Sequence, residues 1–167
     1  MVILIMGVSG SGKTTIGKML AETLQWQFSD ADDFHPAANI EKMSRGVPLS
    51  DADRLPWLQL LQGAIEQWLS QGINVVLACS ALKSEYRQWL QPSNQLQLTD
   101  QIKWVYLKGS SELIQQRLNQ RQGHYMKANL LKSQFDTLEE PDNALQIEIG
   151  QPPEAIVQAI KTDFKIE

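Results

Sequence analysis

The feature that most constrains this chain is an eight-residue run, Gly7-Val8-Ser9-Gly10-Ser11-Gly12-Lys13-Thr14, set between an apolar pentapeptide and a helical repeat. It fits the pattern G-x-x-x-x-G-K-[ST] at every fixed position. Glycines let the backbone turn its amide hydrogens toward an anion, and a following helix aims the positive end of its dipole at the same point. Val2 to Met6, before the run, is apolar throughout, as suits a strand buried on both faces. After it, Ile16, Met19, Leu20 and Leu24 recur at helical spacing, with Lys18 and Glu22 between them. Strand, glycine turn and helix in that order make a phosphate-binding loop. Lys13 is expected to reach the β and γ phosphates of a nucleoside triphosphate, and the Thr14 hydroxyl to coordinate magnesium. Thr15 is counted with them among the nucleotide-binding residues.

The rest of the chain repeats the alternation. Trp26 to Ser29 reads as a second short strand running into the acidic cluster Asp30, Asp32 and Asp33, followed by a polar connector with Pro36 and Pro48. Ser50 and Asp53 match a capping box, and Leu58, Leu61, Ile65, Trp68 and Leu69 then form an apolar helical face that stops at Gly72. Ile73–Cys79 and Ile102–Leu107 are predicted strands, Ile147 and Ile149 mark a fifth, and Pro152 and Pro153 open a last helix carrying Ile156, Val157, Ile160 and Phe164. Strands alternating with helices imply parallel pairing through right-handed crossovers. The expected fold is a three-layer α/β P-loop NTPase domain over residues 1–167, with a mostly parallel five-stranded sheet flanked by helices and a small helical lid at about 117–135. Ligands belong at the carboxyl ends of its strands.

Composition removes several classes of function. Fifteen Lys and Arg against nineteen Asp and Glu leave a net charge of -4, which argues against a surface that tracks nucleic acid. Cys79 is the only cysteine, so it forms no internal disulfide and supplies no Cys-rich metal cage; a reducing, cytoplasmic location is the expectation. The apolar run Met1–Met6 falls far short of the roughly 20 residues of a membrane span, and it has neither the basic flank nor the cleavage site of a leader.

Phosphoryl transfer needs a carboxylate to orient the attacking hydroxyl and another to help hold magnesium, and Asp30 and Asp32 at i and i+2 can divide those tasks. A solvated acidic turn that caps the next helix uses the same residues equally well. From Leu113 to Phe135 there is no Asp or Glu, while Arg117, Arg121, Lys127 and Lys132 accompany His124. Arg117 and Arg121 share a helical face and could point at a polyphosphate or simply at solvent; Gly123 would let the following piece move as a lid that excludes water. Arg54, between Asp51 and Asp53, either clamps an anionic acceptor or pairs with its neighbours. His35 suits a loop or a catalytic position, and Ser80 a ligand contact or a helix cap. Trp57, Trp68 and Trp104 read as packing residues.

Beyond the loop, the chain resembles the small P-loop gluconokinases, relatives of shikimate kinase and the nucleoside monophosphate kinases. The resemblance rests on Asp30-Ala31-Asp32-Asp33-Phe34-His35-Pro36, Asn39-Ile40, Lys42-Met43, Asp53-Arg54, Pro56-Trp57-Leu58, Ala78-Cys79-Ser80-Ala81-Leu82-Lys83, Tyr86-Arg87, His124-Tyr125-Met126 and Ser133-Gln134, and runs from Ile3 to about Pro153. It implies transfer of phosphate from ATP, with magnesium, to the 6-hydroxyl of D-gluconate, in a homodimer. By position, Asp32 resembles the carboxylate beside the acceptor hydroxyl, Asp30 a magnesium-side partner, Arg54 an acceptor-site cation, and Arg117 and Arg121 lid residues over the nucleotide. The implied catalytic residues are Lys13, Asp32 and Arg121, and His35, Ser80, Lys83 and His124 are further candidates for the sugar-acid pocket. Where the family reads Asp-Gly-Asp this chain has Ala31, and Tyr125 stands where Phe is frequent.

Overall fold

A computed structural model describes residues 1–92, 96–120 and 128–167. Strand β1 (Val2–Met6) is fully buried along its length, as its unbroken apolar sequence demands. It leads through the glycine loop into helix α1 (Lys13–Leu24) and strand β2 (Gln27–Asp30). A 3-10 turn (Ala31–Phe34), helix α2 (Ala37–Ser44) and helix α3 (Asp51–Ser70) precede strand β3 (Val75–Ala78) and helix α4 (Ser84–Leu90). Strand β4 (Ile102–Lys108), helices α5 (Ser111–Gln120) and α6 (Ala128–Thr137), strand β5 (Leu145–Glu148) and helix α7 (Pro153–Phe164) complete the order.

The five strands lie in the order β2-β3-β1-β4-β5, and every pairing is parallel. Alternate residues of β1 serve opposite faces. Ile3 and Ile5 join Ile16 and Leu20 of α1, Ile114 and Leu118 of α5 and Ile156 and Ile160 of α7 in one core. Val2, Leu4 and Met6 join Leu58, Leu61 and Ile65 of α3 and Tyr86 and Leu90 of α4 in the other. Helices on both faces of a parallel sheet are the predicted three layers. The order reverses direction at β1, so the carboxyl ends of β1 and β3 frame the crevice where such sheets bind ligands.

The segment read as a polar connector is corrected: it contains α2, and the acidic cluster before it forms the 3-10 turn. The one buried residue of α2 is Asn39, a polar side chain, whereas Ile40 and Met43 are exposed, so the helix buries no apolar face. Strand boundaries also move: β2 shifts by one residue, β3 shortens to Val75–Ala78 and β4 extends to Lys108. The amides of Trp26 and Ile73 close the ends of α1 and α3 by bonding Ala21 and Trp68 carbonyls, and pairing begins only afterwards. The capping box is present: Ser50 Oγ accepts from the Asp53 amide at 3.1 Å, and Asp53 Oδ2 accepts from the Ser50 amide at 2.9 Å.

Asp53 Oδ2 also accepts from Lys42 Nζ at 2.8 Å, and that bond, with the Ser50 amide, lowers the Asp53 carboxyl to about 2. The folded value lies below the ordinary 3.8, so the stabilisation is present above pH 3.8 and is lost as pH falls toward 2. Asp53→Asn therefore lowers the melting temperature at pH 7, and its gap from the native chain narrows across that acid window. Ser50→Ala, which removes only the hydroxyl cap, costs about 1 kcal/mol in denaturant unfolding.

Candidate functional site

The glycine loop starts where β1 ends. Gly7 donates its amide to the carbonyl of Ser80 just past β3, at 3.4 Å, which ties the loop to the neighbouring strand. Gly10 has φ +82°, and a Cβ there would stand 2.9 Å from Leu118 and 3.1 Å from Ile114, so α5 packs directly on a backbone that only glycine leaves open. Lys13, the first residue of α1, folds over the loop and donates from Nζ to the carbonyls of Gly7 (3.0 Å) and Val8 (3.1 Å). Burial lowers its pKa, against the opposing pull of Asp32 and Asp30.

Parallel pairing of β2 with β3 brings Asp30 level with Ala78, at the same sheet edge as the loop. One carboxylate oxygen of Asp30 caps the 3-10 turn by accepting from the Asp32 amide at 2.9 Å; the other accepts from Thr14 Oγ1 at 3.3 Å. Capping by Asp and proximity to the loop, alternatives in the sequence, are both realised by one side chain. Asp32 stands at the mouth of the cleft with its side chain 84% exposed. The protein walls around that mouth nevertheless push its carboxyl up, Asp30 adds to the rise, and His35 and Lys13 oppose it.

His35 is 3.8 Å from Asp32 Oδ1 through Nε2, and its ring stacks on Trp57 with centroids 4.3 Å apart and planes 13° from parallel. Trp57 is buried and donates its indole N–H to the Ala31 carbonyl at 2.7 Å, so a residue read as packing also holds the acidic turn. Burial lowers the His35 pKa, as does Arg54, while Asp32 raises it. Arg54 donates to the Tyr86 hydroxyl at 3.0 Å and lies 3.8 Å from Asp51; Asp53, its other acidic neighbour, is taken by Lys42. Tyr86 donates in turn to Asp51, which also accepts from Lys83 at 3.2 Å. Those bonds from Tyr86 and Lys83 lower the Asp51 carboxyl, and the Asp51 contact raises the Lys83 pKa. Ser80 does not cap α4, whose cap position is Lys83.

Arg117 donates to the carbonyl of Ile149, immediately after β5. Arg121, Gly123, His124 and Lys127 lie outside the described residues. Sequence reasoning gave no role to Gln134, which grips the phosphate loop twice: its Oε1 accepts from the Ser9 amide at 2.7 Å and its Nε2 donates to Ser9 Oγ at 3.0 Å. It missed Asn39 and Tyr86 as site residues as well; no spacing rule links them to the loop, and only the resemblance placed them inside quoted blocks.

The donor set fits a small hard cation beside a triphosphate. Thr14 and Asp30 present a hydroxyl and a carboxylate to one another, and among the described residues no group of three or more His, Cys, Asp or Glu could hold a metal by itself. Magnesium prefers such a site, in which one or two protein oxygens are completed by phosphates and water.

The sequence matches the AAA domain family over residues 2–141. It is 45% identical over 174 residues to a probable gluconokinase of Xenopus tropicalis, covering 96% of this chain and 92% of that protein. It is 44% identical over 169 residues to a gluconokinase of Arabidopsis thaliana, covering 95% and 89%. This chain belongs to the gluconokinase family. The crystal structure of a gluconokinase from Sinorhizobium meliloti 1021 superposes with a TM-score of 0.80 at 36% identity, over 99% of this chain and 97% of that one. Cys79, just past β3, is a free and buried thiol. Burial pushes the Cys79 thiol up to about 12, far from a reactive thiolate. A maleimide should leave the native chain unlabelled at pH 7 and label it fully in denaturant; rapid labelling of the native chain would contradict this burial.

Proposed function

We propose that this chain is an ATP-dependent kinase that transfers the γ-phosphoryl group to the 6-hydroxyl of D-gluconate, giving 6-phosphogluconate and ADP. The observation that carries the reading is one strand edge bearing the phosphate loop with Lys13, the Thr14–Asp30 pair and the cleft-facing Asp32. Family membership supplies the acceptor.

In this reading the loop Gly7–Thr15 wraps the phosphates, with the amides of Gly12 to Thr15 and the α1 dipole aimed at them while Ser80 and Gln134 hold the Gly7 and Ser9 amides, and Lys13 leaves its two carbonyls to meet the β and γ oxygens. Thr14 and Asp30 would hold magnesium, which when bound would supply neutralisation of the phosphate charge. Asp32 orients the acceptor hydroxyl in line with the γ-phosphorus and takes its proton as the bond forms, a role suited to a carboxylate whose pKa is raised. Arg54, held by Tyr86, faces the carboxylate of the sugar acid, and His35, Ser80, Lys83 and His124 complete that pocket. Residues 117–135 serve as the lid within a single kinase domain, with Arg117, once released from the Ile149 carbonyl, and Arg121 assigned to the nucleotide. A cytoplasmic homodimer completes the proposal; no helix among the described residues is long and apolar enough to cross a membrane.

The test is ADP release from magnesium-ATP with D-gluconate, shikimate, AMP or no acceptor, with the product identified by mass. Turnover with gluconate alone is expected; turnover with another acceptor, or with none, would overturn the substrate. Lys13→Ala should lower kcat by about a hundredfold or more with the fold intact by circular dichroism. Asp32→Asn should lower kcat by roughly 10²-fold or more while the KM for ATP changes little.

A further inference from the structure

Among the described residues, Asn39 is one of two buried polar side chains, 4% exposed, on the helix that buries no apolar face. Its amide nitrogen lies 2.9 Å from the carbonyl oxygen of Asp53. A carbonyl only accepts, so chemistry fixes that atom as Nδ2, a donor with no lone pair to offer. The same Nδ2 is 3.4 Å from Nδ1 of His35. Nδ1 must then present its lone pair, and the ring proton resides on Nε2, the nitrogen that faces Asp32 Oδ1 at 3.8 Å. A protonated imidazole would set N–H against N–H at Asn39. Stacking on Trp57 holds the plane of the ring, and with its side chain 5% exposed the ring has little room to swing out of that plane.

We propose that Asn39 is a positioning residue that locks His35 as the neutral Nε2–H tautomer and so aims a fixed donor at Asp32. The proposal rests on the reading of Asp32 as the carboxylate that meets the acceptor hydroxyl. Asp32 needs such a partner: its side chain is 84% exposed and has rotamer freedom to lose before it can orient a substrate. The charged groups bearing on the imidazole are Asp32 from the 3-10 turn and Arg54 from α3, with opposite effects on its protonation, and burial favours the neutral ring.

Long-range 1H–15N imidazole spectra of the intact chain at pH 7 test this directly. The sequence has two histidines, so H124Q assigns the His35 signals. The expected result is an unprotonated Nδ1 and a protonated Nε2 for His35, giving way in Asn39→Ala to exchange between both tautomers. In the same variant kcat with gluconate should fall about tenfold to a hundredfold while the KM for ATP holds. A native His35 protonated on Nδ1, or on both nitrogens, overturns the proposal whether or not any variant folds. A folded Asn39→Ala with native kcat overturns it too. Failure of the native chain to phosphorylate gluconate would instead overturn the substrate, while the spectra still decide the tautomer.

Discussion

The site hangs from the burial of β1. A strand paired in parallel on both sides and covered on both faces cannot shift without opening two cores, so its carboxyl end is a fixed point. The phosphate loop inherits that rigidity through the Gly7–Ser80 bond, and α5 presses on it at Gly10, where a side chain would collide with Leu118. A loop of converging amides is unfavourable to hold open without an anion. Here Lys13 folds onto the carbonyls of Gly7 and Val8, placing positive charge where phosphate oxygens are expected.

The acidic turn depends on the same edge by a different route. β2 ends at Asp30, and a single carboxylate both starts the 3-10 turn and faces Thr14 across the crevice. Were Asp30 only a cap, Asp32 would have no fixed relation to the loop. Ala31 between them is buried with its carbonyl held by Trp57, which explains how a non-glycine residue suits this turn: its backbone bond, rather than conformational freedom, sets the turn. Asp32 is thereby left forward and exposed, with its pKa raised by the surrounding walls and by Asp30.

What was legible in the sequence follows from how each part is encoded. The strands, α1, α3 and α7 carry apolar periodicity, and the loop carries a motif whose glycines have one physical use, so fold and phosphate site could both be read. The helix α2 could not, because it is held by Asn39 rather than by a buried apolar face. Composition cannot distinguish a buried amide that bridges two elements from a solvated one. Arg54 left two readings open, and the outcome depended on which of its acidic neighbours was already engaged. Asp53 is bound by the capping box and Lys42, Asp51 by Tyr86 and Lys83, and the guanidinium rests on the Tyr86 hydroxyl. Gln134 and Tyr86 act across sequence separations that no local pattern reports.

These long-range bonds also join the two sides of the cleft. Gln134 of α6 holds Ser9 of the phosphate loop, and five residues on, Glu139 is bonded to the start of α4: its amide donates to the Leu82 carbonyl at 2.8 Å and its carboxylate accepts from the Ser84 amide at 2.9 Å. Arg87 closes the junction by donating to the Ala81 and Glu139 carbonyls. The carboxyl-terminal root of the basic segment is therefore fastened to the phosphate loop at one point and to the start of α4 at the other. Lys83, at the cap of α4, leads straight into the Asp51–Tyr86–Arg54 network. Any displacement of α6 must break or carry both attachments.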